Sequence, residues 1–130
     1  QVVLPRLDGG LLALLEACAT GQHLPAVRVR DIAAVTTVLA AAGYPDKPEK
    51  GAAIEIPDDL PGSAMVFHAG TVRDSDGVLR VNGGRVLAVT GTGPTFAAAQ
   101  AASREAAERI QFAGRQYRDD IGWREAARTV

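Results

Sequence analysis

Hydrophobic and polar positions along the chain predict two helices and a buried strand. Leucines recur near helical spacing in residues 6–20 and Gly21 is a natural stop, so this segment is predicted to be a helix. Residues 33–41 are continuously apolar and β-branched in the middle, which is typical of a strand buried on both faces. The alanine-rich residues 95–110 predict a second helix, with Pro94 near its first helical position. The side of this helix that packs on a sheet is expected to carry Phe96, Ala99, Ala106 and Ile110.

Three short strands are predicted between the buried strand and the second helix, at 64–70, 78–81 and 85–90. The DSDG sequence at 74–77 contains the Asp-Gly pair of a tight connection, and the next turn is Asn82-Gly83-Gly84. Prolines and glycines between Ala42 and Gly51 predict an irregular loop. Three antiparallel strands, one buried strand and two helices together indicate an α+β domain.

Composition narrows the class of protein. The chain has 130 residues, 47% of them hydrophobic and 22% charged, which is typical of one globular domain. A net charge of −1 argues against a nucleic acid or an anionic membrane surface as the partner. There is no apolar run of about 18 residues, so no membrane span is predicted.

Cys18 is the only cysteine in the sequence, which excludes a disulfide framework and a thiolate metal cluster. A single cysteine favours a reducing compartment, so we expect a cytoplasmic protein. Cys18 lies on the same apolar side of the first helix as Leu11 and Leu14, and we expect it to be a small buried side chain. The chain starts with QVVLPRL, without an initiator methionine or the features of a signal peptide, and we expect it to be a piece of a longer protein.

The turn before the last predicted strand holds the strongest candidate for chemistry. Gly83 and Gly84 lack a Cβ and allow backbone or ligand to approach closely. Arg85 follows them with a fixed fork of donors suited to a phosphate or a carboxylate. Taken alone, Arg85 is equally compatible with a structural ion pair. His68 lies in an apolar strand, where a hydrogen-bonded structural role is the more common alternative to a site.

Other chemistries find little support. His23 lies in a polar linker, and its spacing from His68 does not indicate a metal site. The sequence contains no GxxxxGK[ST] phosphate loop, and the Gly91–Gly93 pattern is more simply a turn. No catalytic residue, metal ligand or bound cofactor is therefore predicted within these residues. Tyr117, Arg118 and Trp123 are expected to anchor the tail, with the aromatic rings buried.

Four ordered segments resemble one enzyme family. They are GYP…EKG within 42–51, VFHAGT at 66–71, NGGRVLAVT at 82–90 and YRDDIGWR at 117–124. Together they resemble the C-terminal part of the phosphoribosylamine–glycine ligases, which join glycine to 5-phosphoribosylamine in purine synthesis. Gln1 matches the last residue of a family signature, RFGDPE-x-Q, that precedes this region.

The resemblance implies a divided fold and a set of site residues. Residues 1–34 would end an ATP-grasp domain, and residues 35–130 would form a small antiparallel-sheet domain with a packed helix. The complete enzyme would use ATP and Mg²⁺ or Mn²⁺ at sites upstream of Gln1, so this chain alone is expected to be inactive and to have the upstream domains as its partner. Substrate-binding roles are implied for Arg85, Gly83, Gly84, His68, Tyr44 and Lys50.

Two alternatives remain open from the sequence. The chain could be a packing or ligand-binding module without catalysis, in which the Gly-Gly-Arg turn docks on a neighbouring domain. It could also be the C-terminal domain of another ATP-grasp ligase. The joint occurrence of GYP…KG, FHAGT and GGRVL favours the ligase interpretation.

Overall fold

The computed structural model describes residues 1–128 and confirms a small α+β fold with an antiparallel sheet and a packed helix. The helices are α1, α2 and α3, and the strands are β1 to β5. In chain order the elements are a 3₁₀ helix at Leu4–Arg6, α1 at Leu11–Thr20, β1 at Ala33–Ala40, β2 at Ala64–His68, β3 at Thr71–Arg73, β4 at Leu79–Val81, β5 at Arg85–Gly93, α2 at Phe96–Arg109 and α3 at Trp123–Ala126. The loop predicted between β1 and β2 is also present, with turns and no regular structure at 42–51.

The main sheet has three antiparallel strands in the order β1-β5-β2, with β5 in the centre. Three strands were predicted at 64–90, but this region contains four, because residues 71–73 form β3. β5 leaves the preceding hairpin and enters the main sheet. β3 and β4 form a separate two-stranded hairpin, closed by a bond from the Gly77 N–H to the Asp74 carbonyl. The central position of β5 explains its continuous burial from Val86 to Gly91.

One face of the main sheet is covered by α2, and the core lies between them. Thr95 caps α2, since its side chain accepts a hydrogen bond from the Ala98 N–H at 3.2 Å. Pro94 directly precedes the cap and is two residues before Phe96, the first helical residue. Ala99, Ala106 and Ile110 are buried as expected, but Phe96 is only half-buried. The core also includes Leu39, Ala41, Ile54, Val81, Val86, Leu87, Val89, Ala107 and Phe112.

The other face of the main sheet is not covered by α2, and the start of the chain lies over only part of it, where the Thr90 hydroxyl donates to the Gln1 carbonyl. β1 is consequently not buried on both faces as its composition suggested: Val35, Thr37 and Leu39 are buried, whereas Val38 is 40% exposed. A run of apolar residues cannot by itself distinguish a strand covered on both faces from one that is covered on a single face.

The first 30 residues pack loosely on this sheet. α1 buries Ala17 alone, and Cys18 is exposed, contrary to expectation. Leu11, Leu12 and Leu15 are exposed as well, so the helical spacing of the leucines predicts the helix but not what covers it. None of the helices within residues 1–128 is long and apolar enough to cross a membrane.

Gly91 sets the distance between α2 and the sheet. A Cβ at this position would collide with main-chain atoms of Ala99, Ala102 and Ser103 in α2. We predict that Gly91→Ala lowers the free energy of unfolding by about 3 kcal/mol, because the helix must move away from the sheet. Gly62→Ala is the matched control, since a Cβ there meets nothing within 4 Å. Urea denaturation of both variants checks this, and equal stabilities would contradict it.

Candidate functional site

A β-bulge places Arg85 on the open face of the sheet. β1 and β5 pair in register up to Leu39 and Leu87, and the next pair is Ala40 with Arg85, so Val86 is an extra residue in β5. Side chains alternate between faces along a regular strand, so with regular pairing Arg85 would lie on the α2 side, like Leu87. The bulge reverses this alternation: Val86 is fully buried, and Arg85 is exposed.

Arg85 lines an open groove of about 450 Å³, which we call the Arg85 groove. Its floor is the uncovered face of β1. Its walls are the loop after β1 and the chain segment after α2. The other lining residues are Thr36, Val38, Ala40, Tyr44, Gln116, Tyr117, Arg118 and Ile121. The groove is therefore mainly apolar, with an arginine available for an anionic group.

The wall after α2 is held by main-chain contacts. Gln116 and Ala40 exchange two backbone hydrogen bonds of 2.8 and 2.9 Å. Further along, Gln100 in α2 donates to the Ile121 carbonyl at 2.6 Å, and Arg104 donates to the Asp119 carbonyl. These bonds fix both ends of the wall to the helix–sheet core, so the shape of the groove follows from the fold.

The two arginines of the groove differ in what they bind. Arg118 is bound to Asp120 through two hydrogen bonds, Nε to Oδ1 at 2.8 Å and Nη2 to Oδ2 at 2.6 Å. Within residues 1–128, Arg85 forms no ion pair or side-chain hydrogen bond. An exposed guanidinium without a carboxylate partner can bind the oxygens of a phosphate or a carboxylate ligand through two parallel N–H donors.

The two glycines before Arg85 contact protein groups. A Cβ on Gly84 would lie 2.5 Å from Cδ2 of Tyr44, so this glycine admits the tyrosine ring. A Cβ on Gly83 would lie 3.1 Å from the Cα of Gly70, so the two glycines let the turn approach the end of β2. The close approach that was predicted for this turn is present, and it brings Tyr44, Gly84 and Arg85 together.

His68 and Lys50 lie away from the Arg85 groove. His68 pairs with Leu87, and directly paired residues of an antiparallel ladder share a face, so it projects to the α2 side. Its Nδ1 lies 3.1 Å from Oγ1 of Thr71. Lys50 is exposed in the loop after β1 and is not among the lining residues.

A second groove of about 380 Å³ lies on the other side of Arg85. We call it the Gln1 groove, because the first residue of the chain forms part of it. Its remaining lining residues are Val38, Ala69, Gly70, Leu87 and Ala88. Arg85 and Val38 therefore separate two adjoining grooves on one sheet face. Sequence patterns gave no signal that Val38 belongs to a site, since only the strand register shows that it shares a face with Arg85.

The aromatic residues of the tail behave differently from one another. Tyr117 is half-buried and packs against the core, with the Arg115 guanidinium 5.0 Å from its ring centroid. Trp123 is 55% exposed, so the expectation of a buried ring is wrong for this residue. Arg124 lies over the Trp123 ring at 5.2 Å and covers part of it. The described part of the chain contains no group of three His, Cys, Asp or Glu residues that could hold a metal ion.

These features define a class of protein: an α+β domain whose sheet is covered by a helix on one face and presents an unpaired arginine on the other. Comparisons with known proteins then give the family. The sequence model described as "Phosphoribosylglycinamide synthetase, C domain" matches residues 34–124. The chain belongs to this family.

The similar proteins and the similar solved structure belong to the same family. The chain is 46% identical over 131 residues to a phosphoribosylamine–glycine ligase of Phenylobacterium zucineum, covering 98% of this chain and 31% of that protein. It is 48% identical over 125 residues to one of Corynebacterium ammoniagenes, covering 94% and 29%. The crystal structure of phosphoribosylamine–glycine ligase from Thermotoga maritima is similar with a TM-score of 0.81 and 39% identity, covering 92% of this chain and 29% of that one.

These relatives are much longer than this chain. It spans about three tenths of the curated proteins it matches. The family match extends from the start of β1 to the segment after α2, which includes every strand of the main sheet. Residues 34–124 therefore correspond to one domain of a larger enzyme.

The Arg118–Asp120 pair gives a prediction about pH. The pKa of the Asp120 carboxyl lies below its ordinary value of 3.8, chiefly because Arg118 donates hydrogen bonds to it. Since the folded pKa is depressed, the pair stabilises the fold above the unfolded pKa, and this contribution is lost as the pH falls through the folded pKa. We predict that Arg118→Gln moves the titration midpoint of Asp120 up toward 3.8, measured by NMR of the carboxyl carbon. Arg124→Gln is the control, and an unmoved midpoint in Arg118→Gln would contradict the pairing.

Proposed function

We propose that this chain is the C-terminal part of a cytoplasmic phosphoribosylamine–glycine ligase. The complete enzyme would use ATP to join glycine to 5-phosphoribosylamine, giving glycinamide ribonucleotide, ADP and phosphate in purine biosynthesis. Support comes from the family match and from relatives that carry this name and are 46% and 48% identical. The remaining seven tenths of such an enzyme would form the ATP-grasp domain and hold the nucleotide.

The observation that carries the proposed role is Arg85, which has no ion-pair partner within residues 1–128 and lies on the sheet face that α2 does not cover. The reaction needs an activated glycine and a held amine. ATP would transfer its γ-phosphoryl group to the glycine carboxylate, and the amine of phosphoribosylamine would attack the acyl carbon and expel phosphate. Arg85 would bind the ribose 5-phosphate, so that the amine is held in a fixed direction. Tyr44, seated against Gly84, would form the wall beside the sugar.

The metal ion belongs to another part of the proposed enzyme. Mg²⁺ or Mn²⁺ would offset charge on the transferring phosphoryl group. We place its ligands in the upstream domains, so no step of this chain's proposed role passes through the metal. His68 and Lys50 lie outside both grooves, and neither is assigned a substrate contact here.

The distribution of exposed apolar residues supports a division near residue 34. Large exposed hydrophobic side chains are concentrated in the first 30 residues, and such a patch usually marks an interaction surface. They are Val2, Val3, Leu4, Leu11, Leu12, Leu15, Leu24, Val27 and Val29. We propose that residues 1–34 end the ATP-grasp domain and pack against its upstream part, and that residues 35–130 form the C-terminal domain.

Replacing Arg85 tests the phosphate role. In the complete enzyme, Arg85→Ala should raise the KM for phosphoribosylamine about 10- to 100-fold, which corresponds to the loss of one charge-assisted contact. The KM for ATP should change little, because the nucleotide binds elsewhere. Arg73→Ala is the control, since Arg73 bonds to the Gly77 carbonyl in the separate hairpin. If the KM for phosphoribosylamine stays constant in Arg85→Ala, Arg85 has a structural role only.

The division of the sites gives a second prediction. The 130-residue chain alone should not convert glycine, phosphoribosylamine and ATP to product, since the nucleotide site lies in the upstream domains. A coupled assay for ADP release checks this, with the complete enzyme as the positive control. Turnover by the isolated chain would overturn the proposed division.

A further inference from the structure

Two threonine hydroxyls connect the centre of the open sheet face to the start of the chain. Oγ1 of Thr36 in β1 lies 2.6 Å from Oγ1 of Thr90 in β5, and the Thr90 hydroxyl donates to the Gln1 carbonyl at 2.9 Å. A carbonyl can only accept, so the single proton of Thr90 is used on Gln1. Thr36 must then be the donor to Thr90. The result is a directed relay from Thr36 through Thr90 to the main chain at Gln1.

Burial shows that this contact is well defined. Thr90 is fully buried although it lies on the face that α2 does not cover. Thr36 and Thr90 are direct partners in the ladder, so their side chains project to the same face. The hydroxyl of Thr90 thus bonds to a main-chain group that comes from outside the sheet.

The relay ends next to Arg85. Gln1 and Arg85 line the same groove of about 380 Å³. The family match identifies this chain as a C domain, and the named relatives are about three times as long. In the complete protein, the residues just before Gln1 would therefore lie next to the groove that Gln1 and Arg85 share.

A second hydroxyl pair, on the opposite face of the sheet, has a structural role only and serves as a comparison. Thr37 Oγ1 lies 2.8 Å from Ser103 Oγ, and Ser103 donates to the Val89 carbonyl at 2.8 Å. This pair joins α2 to the main sheet and is buried in the core. It has the same chemistry as the relay, one residue further along β1, but it does not reach the grooves.

We propose that Thr90, oriented by Thr36, is a positioning residue of the substrate site. It fixes the main chain at Gln1 beside Arg85, so that the residues preceding Gln1 meet a ligand held by Arg85. The anchoring of Gln1 is independent of the enzyme's activity. The effect on catalysis rests on the function proposed above.

The anchoring is tested in the 130-residue chain by ¹⁵N relaxation. The Val2 amide is bonded directly to the Gln1 carbonyl carbon, so its heteronuclear NOE reports whether the anchor is in place. We expect Thr90→Val to lower the NOE at Val2 and Val3. Thr90→Ser should keep it, because the hydroxyl remains, and the control Thr37→Val should leave it unchanged. An unchanged NOE in Thr90→Val overturns the proposal, whatever the complete enzyme does.

The positioning role is tested in the complete enzyme. We expect Thr90→Val to lower kcat/KM for phosphoribosylamine about 10- to 100-fold, the scale of a displacement of about 1 Å in a reacting geometry. Thr90→Ser should keep most of the parent's kcat/KM. Thr37→Val should lose as much thermal stability as Thr90→Val, but its kcat/KM should stay within about twofold of the parent's. If Thr90→Val and Thr37→Val behave alike, Thr90 has a structural role and the proposal fails. Loss of ligase activity in the parent enzyme would instead refute the proposed function.

Discussion

The structure depends on the two-sided pairing of β5. This strand lies between β1 and β2, and α2 packs on one of its faces at the distance that Gly91 permits. Small side chains along α2, such as Ala99 and Ala106, let the helix approach the strands closely, and both are fully buried. Once this layer is formed, the second face of the sheet is left open along β1. The grooves are a consequence of covering one side of the sheet.

A few local departures from regular structure place Arg85 and Tyr44 on the face that α2 does not cover. The bulge at Val86 turns Arg85 toward the grooves, and Gly84 makes room for the Tyr44 ring beside it. The wall on the other side is fixed to β1 by the Gln116 main chain. Each of these contacts is made by groups that are distant in sequence. The arginine is thus held by the core on one side and exposed to solvent on the other.

The approximate positions of α1, α2, β1, β2, β4 and β5, the α+β class and the close approach at Gly83 and Gly84 could be predicted from the sequence, because they follow from local spacing and residue type. β3 and α3 were not predicted. The burial of Cys18 and Trp123 was predicted wrongly, since helical spacing and aromatic character do not state what covers a surface. The face on which Arg85 lies depends on the register of β1 against β5, and no local pattern contains that information. His68 illustrates the same limit: it is close in sequence to the Arg85 turn and lies on the opposite side of the sheet.

The bulge has a consequence for Arg85 that the residue itself does not show. The direction of Arg85 is set by the irregular pairing at Val86, and not by its own side chain. If the same residues paired with β1 in regular alternation, Arg85 would turn toward α2 with no change in the sequence. The irregular pairing is therefore as necessary to the groove as the arginine.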